Sequence, residues 1–331
     1  MSSKLLPQHS IQELRNYFEE KIQLTEFTNQ PLRLYEPIHY IMKLGGKRVR
    51  PVCTLAAAEL FGTATDEAIN QAIAVEVFHN FTLVHDDIMD EAPLRRGHAT
   101  VHKKWDENTG ILSGDAMIIL AYQYLSKNTG DRFEKLFSNF NKTAIQVCEG
   151  QQYDMDFEQK STVSLDEYLG MIELKTAVLL GESLRLGATI AGASDTDLDL
   201  IYEFGKNFGI AFQLQDDILD LYGDPEKFGK QVGGDVIACK KTYLFAKAHA
   251  IANEDQKSEL VAIYNDTNVE DAEKIEKVKT IFDNLDIRNR AKADMNTFYV
   301  NAGIALNSIS AEDSRKKILK DFAESLMVRE L

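Results

Sequence analysis

The chain has 331 residues, 44% of them hydrophobic, with 37 basic against 52 acidic side chains and a formal charge of −15. That balance argues against a nucleic-acid partner, whose affinity rests on Lys and Arg contacts to phosphate, but it leaves room for local basic clusters around smaller anions. Cys53, Cys148 and Cys239 are scattered without CxxC spacing, no uncharged apolar stretch approaches the roughly 18 residues of a membrane span, and MSSKLLPQHS carries no basic-then-apolar signal, so a cytoplasmic protein without a transmembrane segment is expected. In chain order, Ser10-Ile11-Gln12-Glu13 reads as a capping box, with Leu14, Phe18 and Ile22 following on one face. Residues 66–90 form one long helical run, and Ser164-Leu165-Asp166-Glu167 is a second capping box opening a run toward Ala191. A further run covers 195–222, and the proline-free tail from 236 keeps helical spacing, starting with a helix over 236–252. Breaks fall at Gly45-Gly46, Glu91-Ala92-Pro93, Asn128-Thr129-Gly130 and Gly223 to Asp235. No strand alternation or Asn-Gly hairpin is evident. The expectation is a single all-α domain, 1–331, of ten or more helices.

FTLVHDDIMD at 81–90 recurs as FQLQDDILD at 212–220. On a helix, i and i+4 share a face, so Asp86 pairs with Asp90 and Asp216 with Asp220. Like charges so placed destabilise a bare helix, and a divalent cation relieves the repulsion. Carboxylates without His or Cys suit Mg²⁺, which completes its shell with water and substrate phosphate. One DDxxD on an exposed helix is commonplace. Two of them, each behind Phe-x-Leu inside an apolar run, point to a metal-bound phosphate ligand. Cations cluster to match: Lys47, Arg48 and Arg50 after the glycine pair, Arg95 and Arg96 after the first motif, Lys227 and Lys230 after the second, then Lys240 and Lys241. The aspartates at 195–199 fail as a calcium loop, with Leu200 in place of glycine and Lys206 in place of glutamate, and read better as an acidic helix start.

GGKRVRP, HNFTLVHDDIMD, LRRG, LKTA, FQLQDDILD and GK followed by KKT stand in one order from about residue 40 to 252. In these motifs the chain resembles the trans-isoprenyl diphosphate synthases, or polyprenyl synthetases. The resemblance implies an all-α bundle around a deep central cavity (the isoprenoid synthase fold), usually a homodimer. It implies Mg²⁺ on Asp86, Asp87, Asp90, Asp216, Asp217 and Asp220. Arg95, Lys175, Thr176, Gln213, Lys230 and Lys240 would surround an allylic diphosphate (dimethylallyl, geranyl or farnesyl). Gly46, Lys47, Arg50, His79 and Arg96 would hold isopentenyl diphosphate. Asp86, Asp87, Asp90, Asp216, Lys175 and Lys230 would carry the catalysis.

One departure is visible: Cys239-Lys240-Lys241-Thr242 stands where the family often has Gly-Lys-x-Thr, and spacing to Thr242 assigns the contact to Lys240 over Lys241. Helical spacing nominates Thr82, one turn before Asp86, as the floor for the growing hydrocarbon, whereas the family pattern nominates Phe81. Phe81 beside Thr82, with an uninterrupted DDxxD, resembles the archaeal-type geranylgeranyl diphosphate synthases and implies a C20 product. A farnesyl (C15) synthase is the alternative. A terpene cyclase fits poorly, having no GGKRxR and a different second metal motif. A non-catalytic subunit fits poorly because all six aspartates are present.

Overall fold

A computed structural model of the chain describes residues 8–224, 232–266 and 269–327. The capping boxes open their helices. Ser10 accepts from the Glu13 N–H and Glu13 accepts from the Ser10 N–H (2.7 Å), starting Ile11–Leu24. Ser164 and Glu167 do the same for Leu165–Ile172. The described residues pack as two compact units.

The first unit comprises Met1–Asn141, Glu182–Ile201 and Ser310–Leu319. Leu14, Phe18 and Ile22, spaced i, i+4, i+8, are wholly buried. The helix Val49–Leu60 is buried from Pro51 to Leu60, and the long helix Thr65–Met89 is buried along most of its middle. Glu107–Leu125, capped by Asp106 onto the Thr109 N–H, packs along that long helix and presents Gly110 and Gly114 to Ile88 and His85. Removing Cβ atoms there brings the helix carrying the first aspartate motif close to its neighbour. The Asp-rich start at 195 is a helix N-terminus, as expected. Asp197 accepts from Ser194 and from the Ser310 N–H and hydroxyl.

Two residues of strand, Leu94–Arg95, pair antiparallel with His98–Ala99, which the sequence reading did not anticipate. Arg96 (φ 54) and Gly97 (φ 78) form the turn. A two-residue hairpin closed by a type I′ turn needs positive φ at both central positions, and an Arg-Gly pair supplies it without the usual Asn-Gly signature.

The second unit comprises Lys142–Gly181, Tyr202–Ile309 and Lys320–Leu331. Its core gathers Phe157, Ile172, Leu214, Ile218, Phe245, Leu260, Val278 and Ile287. The run from Ser164 is not one regular helix: Glu173–Ala177 is a π turn before Val178–Ile190. Such turns commonly re-aim side chains at functional positions. The helix Asp195–Tyr222 carries the second aspartate motif. The expected 236–252 helix is two helices, Gly234–Ile237 and Tyr243–Ile251, split at a loop where Cys239 takes φ 55. Asp271–Asn284 and Ile287–Ser308 complete the packing.

Candidate active site

In the first unit, Asp86 and Asp87 lie on the last turn of Thr65–Met89. Asp90 caps it, its N–H bonded to the Asp86 carbonyl (2.8 Å). The three carboxylates differ: Asp87 is 1% exposed, Asp86 is half-buried and Asp90 is exposed. Arg95 donates through Nε to Asp87 Oδ1 at 2.9 Å and through Nη2 to the same oxygen, and stands 3.6 Å from Asp86. Burial raises the Asp87 carboxyl above its ordinary range despite that guanidinium. Asp87 Oδ2 is buried with no hydrogen-bond partner among the described residues.

The hairpin separates its two arginines. Arg95 reaches the aspartates, while Arg96 Nη1 donates to the Gly45 carbonyl. Gly46 sits at φ 144 against the Arg96 guanidinium. Arg50 Nη1 donates to His79 Nε2 at 3.2 Å. Burial, then Arg50, Arg96, Arg95 and Arg48, hold the His79 pKa well below its ordinary value, so this histidine is neutral and accepts. Lys47 is exposed in the same loop. Arg48 is not part of the anion cluster. It is buried and spent on Glu19 (2.8 Å), Glu76 (2.5 Å) and the Met42 carbonyl. Arg50 and Arg96 form no ion pair among the described residues, which leaves two guanidinium charges beside a neutral histidine. Phe81, 7% exposed, packs edge-on against Phe78 (5.3 Å) and His85 (5.0 Å). Thr82 donates back to the His79 carbonyl at 2.8 Å.

In the second unit, a polar cavity of about 160 Å³ is lined by Lys175, Thr176, Gln213, Asp217, Lys240 and Lys241 among others. The π turn delivers Lys175 and Thr176. Gly150 makes room for it, since a Cβ there would stand 2.3 Å from the Lys175 backbone nitrogen. Asp217 is 4% exposed and accepts from Tyr168 (2.6 Å), Gln213 (3.0 Å) and the Tyr243 N–H (3.1 Å). Burial, and next the Asp235 carboxylate, push its carboxyl up to about 7 against those donors. Asp217, grouped in the sequence with Asp216 and Asp220, therefore braces the cavity wall. Asp216 and Asp220, one turn apart on the same helix, are half-buried, and Asp220 accepts from the Asp235 N–H at 3.0 Å. Lys241 is tied to the Glu158 carbonyl (3.1 Å). Lys227 and Lys230 lie outside the described residues.

Several cavity residues carried no site signal in the sequence, among them Asp154, which pairs with Lys175 at 2.6 Å, Tyr168 and Asp235. None belongs to a repeated motif, and the helical spacing that includes Tyr168 signals packing alone, so no local signal marks them as site residues.

Among the described residues no three His, Cys, Asp or Glu side chains gather closely enough to cage an ion alone. Mg²⁺ does not need such a cage, since it ordinarily takes one or two carboxylates and fills its shell with water and phosphate. Accessible carboxylates at i, i+4 and the orphaned Asp87 oxygen fit that ion.

A carboxylate pair on a long helix of each unit, with Arg50 and Arg96 making no ion pair among the described residues of the first, suits anionic ligands carried with a hard cation, and on an all-α frame these features define an enzyme of the isoprenoid synthase class. A model of the Polyprenyl synthetase family matches residues 31–283. The chain belongs to that family and is a prenyltransferase. It is 37% identical over 302 residues to geranylgeranyl diphosphate synthase of Sulfolobus acidocaldarius, covering 88% of this chain and 89% of that one. It is 33% identical to geranylfarnesyl diphosphate synthase of Natronomonas pharaonis, over 97% of each. A crystal structure of a geranylgeranyl pyrophosphate synthase superposes with a TM-score of 0.92 at 47% identity, covering 98% of this chain and all of the other.

Proposed function

We propose that the chain condenses isopentenyl diphosphate with an allylic diphosphate and releases geranylgeranyl diphosphate, C20. The observation that carries this reading is the division of the Arg95–Arg96 hairpin. One guanidinium rests on the aspartate motif and the next rests on the Gly45-Gly46 loop. Consecutive residues thereby serve a carboxylate site and an anion site.

Asp86 and Asp90 in one unit, and Asp216 and Asp220 in the other, offer the outward carboxylate oxygens for Mg²⁺. Asp87 adds its Oδ2, unpartnered among the described residues, to that set while its Oδ1 holds Arg95 until a phosphate replaces it, and Asp217 holds Tyr168 and Gln213 in place. Bound Mg²⁺ supplies charge stabilisation to a leaving diphosphate. In the second unit the cavity at Lys175, Thr176, Gln213 and Lys240 suits an allylic diphosphate, a role the family resemblance gives to Lys230 as well; in the first unit Arg95 can exchange its aspartate for phosphate. Gly46, Lys47, Arg50, His79 and Arg96 hold isopentenyl diphosphate, Arg50 and Arg96 as the charged pair and His79 as the neutral partner that orients Arg50. The apolar residues before Asp86 exclude water from the allylic cation. The isopentenyl double bond attacks, and the departing pyrophosphate takes the proton.

The whole chain acts as one catalytic domain and works as a cytoplasmic homodimer. Among the described residues no helix is long and apolar enough to cross a membrane. Ile111, Leu112 and Ile119 on Glu107–Leu125 expose an apolar face of the kind a second subunit covers. The test is a Mg²⁺ assay with isopentenyl diphosphate and each of dimethylallyl, geranyl and farnesyl diphosphate, reading product carbon number. All three primers should end at C20. Release of hydrocarbon or alcohol from an allylic diphosphate alone would mean a cyclase, and no turnover a non-catalytic subunit.

A further inference from the structure

Cys239 is where the chain departs from the Gly-Lys-x-Thr pattern, and its φ of 55 is a conformation that glycine occupies readily and cysteine does not. Its sulfur meets an unusual partner: Lys274 Nζ stands 3.0 Å from Cys239 Sγ. Lys274 is only 5% exposed, and among the described residues its ammonium has no carboxylate or carbonyl partner. The same sulfur lies 3.6 Å from the Ile237 carbonyl, and a lysine donor at this distance favours the sulfur as a nucleophile.

The other two thiols lack this setting. Cys53 is buried and pushed up to about 12 by burial. Cys148 is exposed, but desolvation and the adjacent Glu149 raise it, and no ammonium donates to it among the described residues. Cys239 is partly accessible, so a small oxidant can reach it. The next residue, Lys240, lines the polar cavity, and its N–H is bonded to the Asp235 carbonyl at 2.9 Å.

We propose that Cys239 is a reversible oxidation site, primed by Lys274, through which peroxide and a small thiol switch the cavity off at Lys240. The Cys239 sulfur attacks one peroxide oxygen. The O–O bond breaks, sulfur loses two electrons to become a sulfenic acid, and hydroxide leaves. A small thiol such as glutathione then attacks that sulfur. An S–S bond forms, the S–O bond breaks and water departs. A second thiol reverses the step by disulfide exchange. The added group crowds the 238–242 loop and displaces Lys240. The loss of activity rests on the prenyltransferase reading, whereas the oxidation itself does not.

The experiment exposes the full chain to hydrogen peroxide, traps sulfenic acid with dimedone and follows each cysteine by peptide mass spectrometry. Cys239 should react about tenfold faster than Cys148 or Cys53. Lys274→Met should remove that advantage, and Lys274→Arg, which keeps the charge and guards against misfolding, should retain it. Peroxide followed by glutathione should abolish condensation in the wild type, dithiothreitol should restore it, and Cys239→Ser should be unaffected. Equal rates at Cys239 and Cys148, an unchanged rate in Lys274→Met, or equal inactivation of Cys239→Ser would overturn the proposal. If the untreated enzyme makes no prenyl product, the functional reading fails and the labelling result still decides the oxidation site.

Discussion

Gly46 and Arg96 are in such close register that a Cβ on the glycine would stand 2.9 Å from the arginine Cζ. The glycine also sits at φ 144, which side chains rarely adopt. The contact joins the glycine loop to the hairpin and holds a guanidinium that has no carboxylate partner among the described residues. Gly46→Ala should strain the backbone by about 1–3 kcal/mol and push Arg96 aside. The expected result is a KM for isopentenyl diphosphate raised about tenfold or more, with the KM for the allylic primer little changed. Steady-state kinetics with each substrate varied separately provide the check.

Gly150 supports the second unit's cavity in a different way. There the obstacle is backbone, the Lys175 nitrogen 2.3 Å from the would-be Cβ, so neither side can yield cheaply. Gly150→Ala should cost about 1–3 kcal/mol of stability and lower kcat by shifting Lys175 and Thr176. Gly170, with nothing within 4 Å of its would-be Cβ, is the control. Gly170→Ala should be neutral or slightly stabilising in the same melting experiment.

His79 predicts a pH dependence. Its folded-state pKa lies well below the ordinary histidine value, so the folded chain takes up this proton less readily than the unfolded chain. The stability it contributes is intact above the unfolded value near 6.5 and is lost as pH falls below it. Each unit below 6.5 costs up to ~1.4 kcal/mol until the folded form also titrates. Denaturation of wild type and His79→Gln between pH 7.5 and 5 should show the wild type losing more stability on acidification. Parallel curves would contradict the assignment.

Phe81 is mainly a packing residue in this structure, held between Phe78 and His85. Its role as a stop rests on resemblance, and truncation separates the two roles. Phe81→Ala should cost about 3–5 kcal/mol, as for other buried phenylalanines, and should lengthen the product beyond C20. A destabilised enzyme that still ends at C20 by mass spectrometry would leave Phe81 as core alone.

The fold and the site differ in how far local sequence reveals them. Helix starts at Ser10 and Ser164 and the span 195–222 were readable because capping and periodicity are local. The aspartate pairs were readable because i, i+4 spacing is. The hairpin was missed because Arg-Gly makes the turn usually flagged by Asn-Gly. Arg48 was counted with the ligand-facing cations because nothing near it in sequence announces Glu19 and Glu76, which consume it. The π turn at 173–177 and the break at 238–242 depend on tertiary contacts, including Gly150 against Lys175, that no short window contains. Asp154, Tyr168 and Asp235 reach the cavity for the same reason.

The central claim is that Asp86 and its partner Asp90 carry the Mg²⁺ on which ionisation depends. The direct test is the rate of pyrophosphate release with farnesyl and isopentenyl diphosphates at saturating Mg²⁺, in wild type and Asp86→Ala, with melting curves to confirm that both are folded. The account predicts a folded variant whose kcat falls about a hundredfold or more, and a wild type silenced by chelation and restored by Mg²⁺. A folded Asp86→Ala enzyme turning over near the wild-type rate would contradict it.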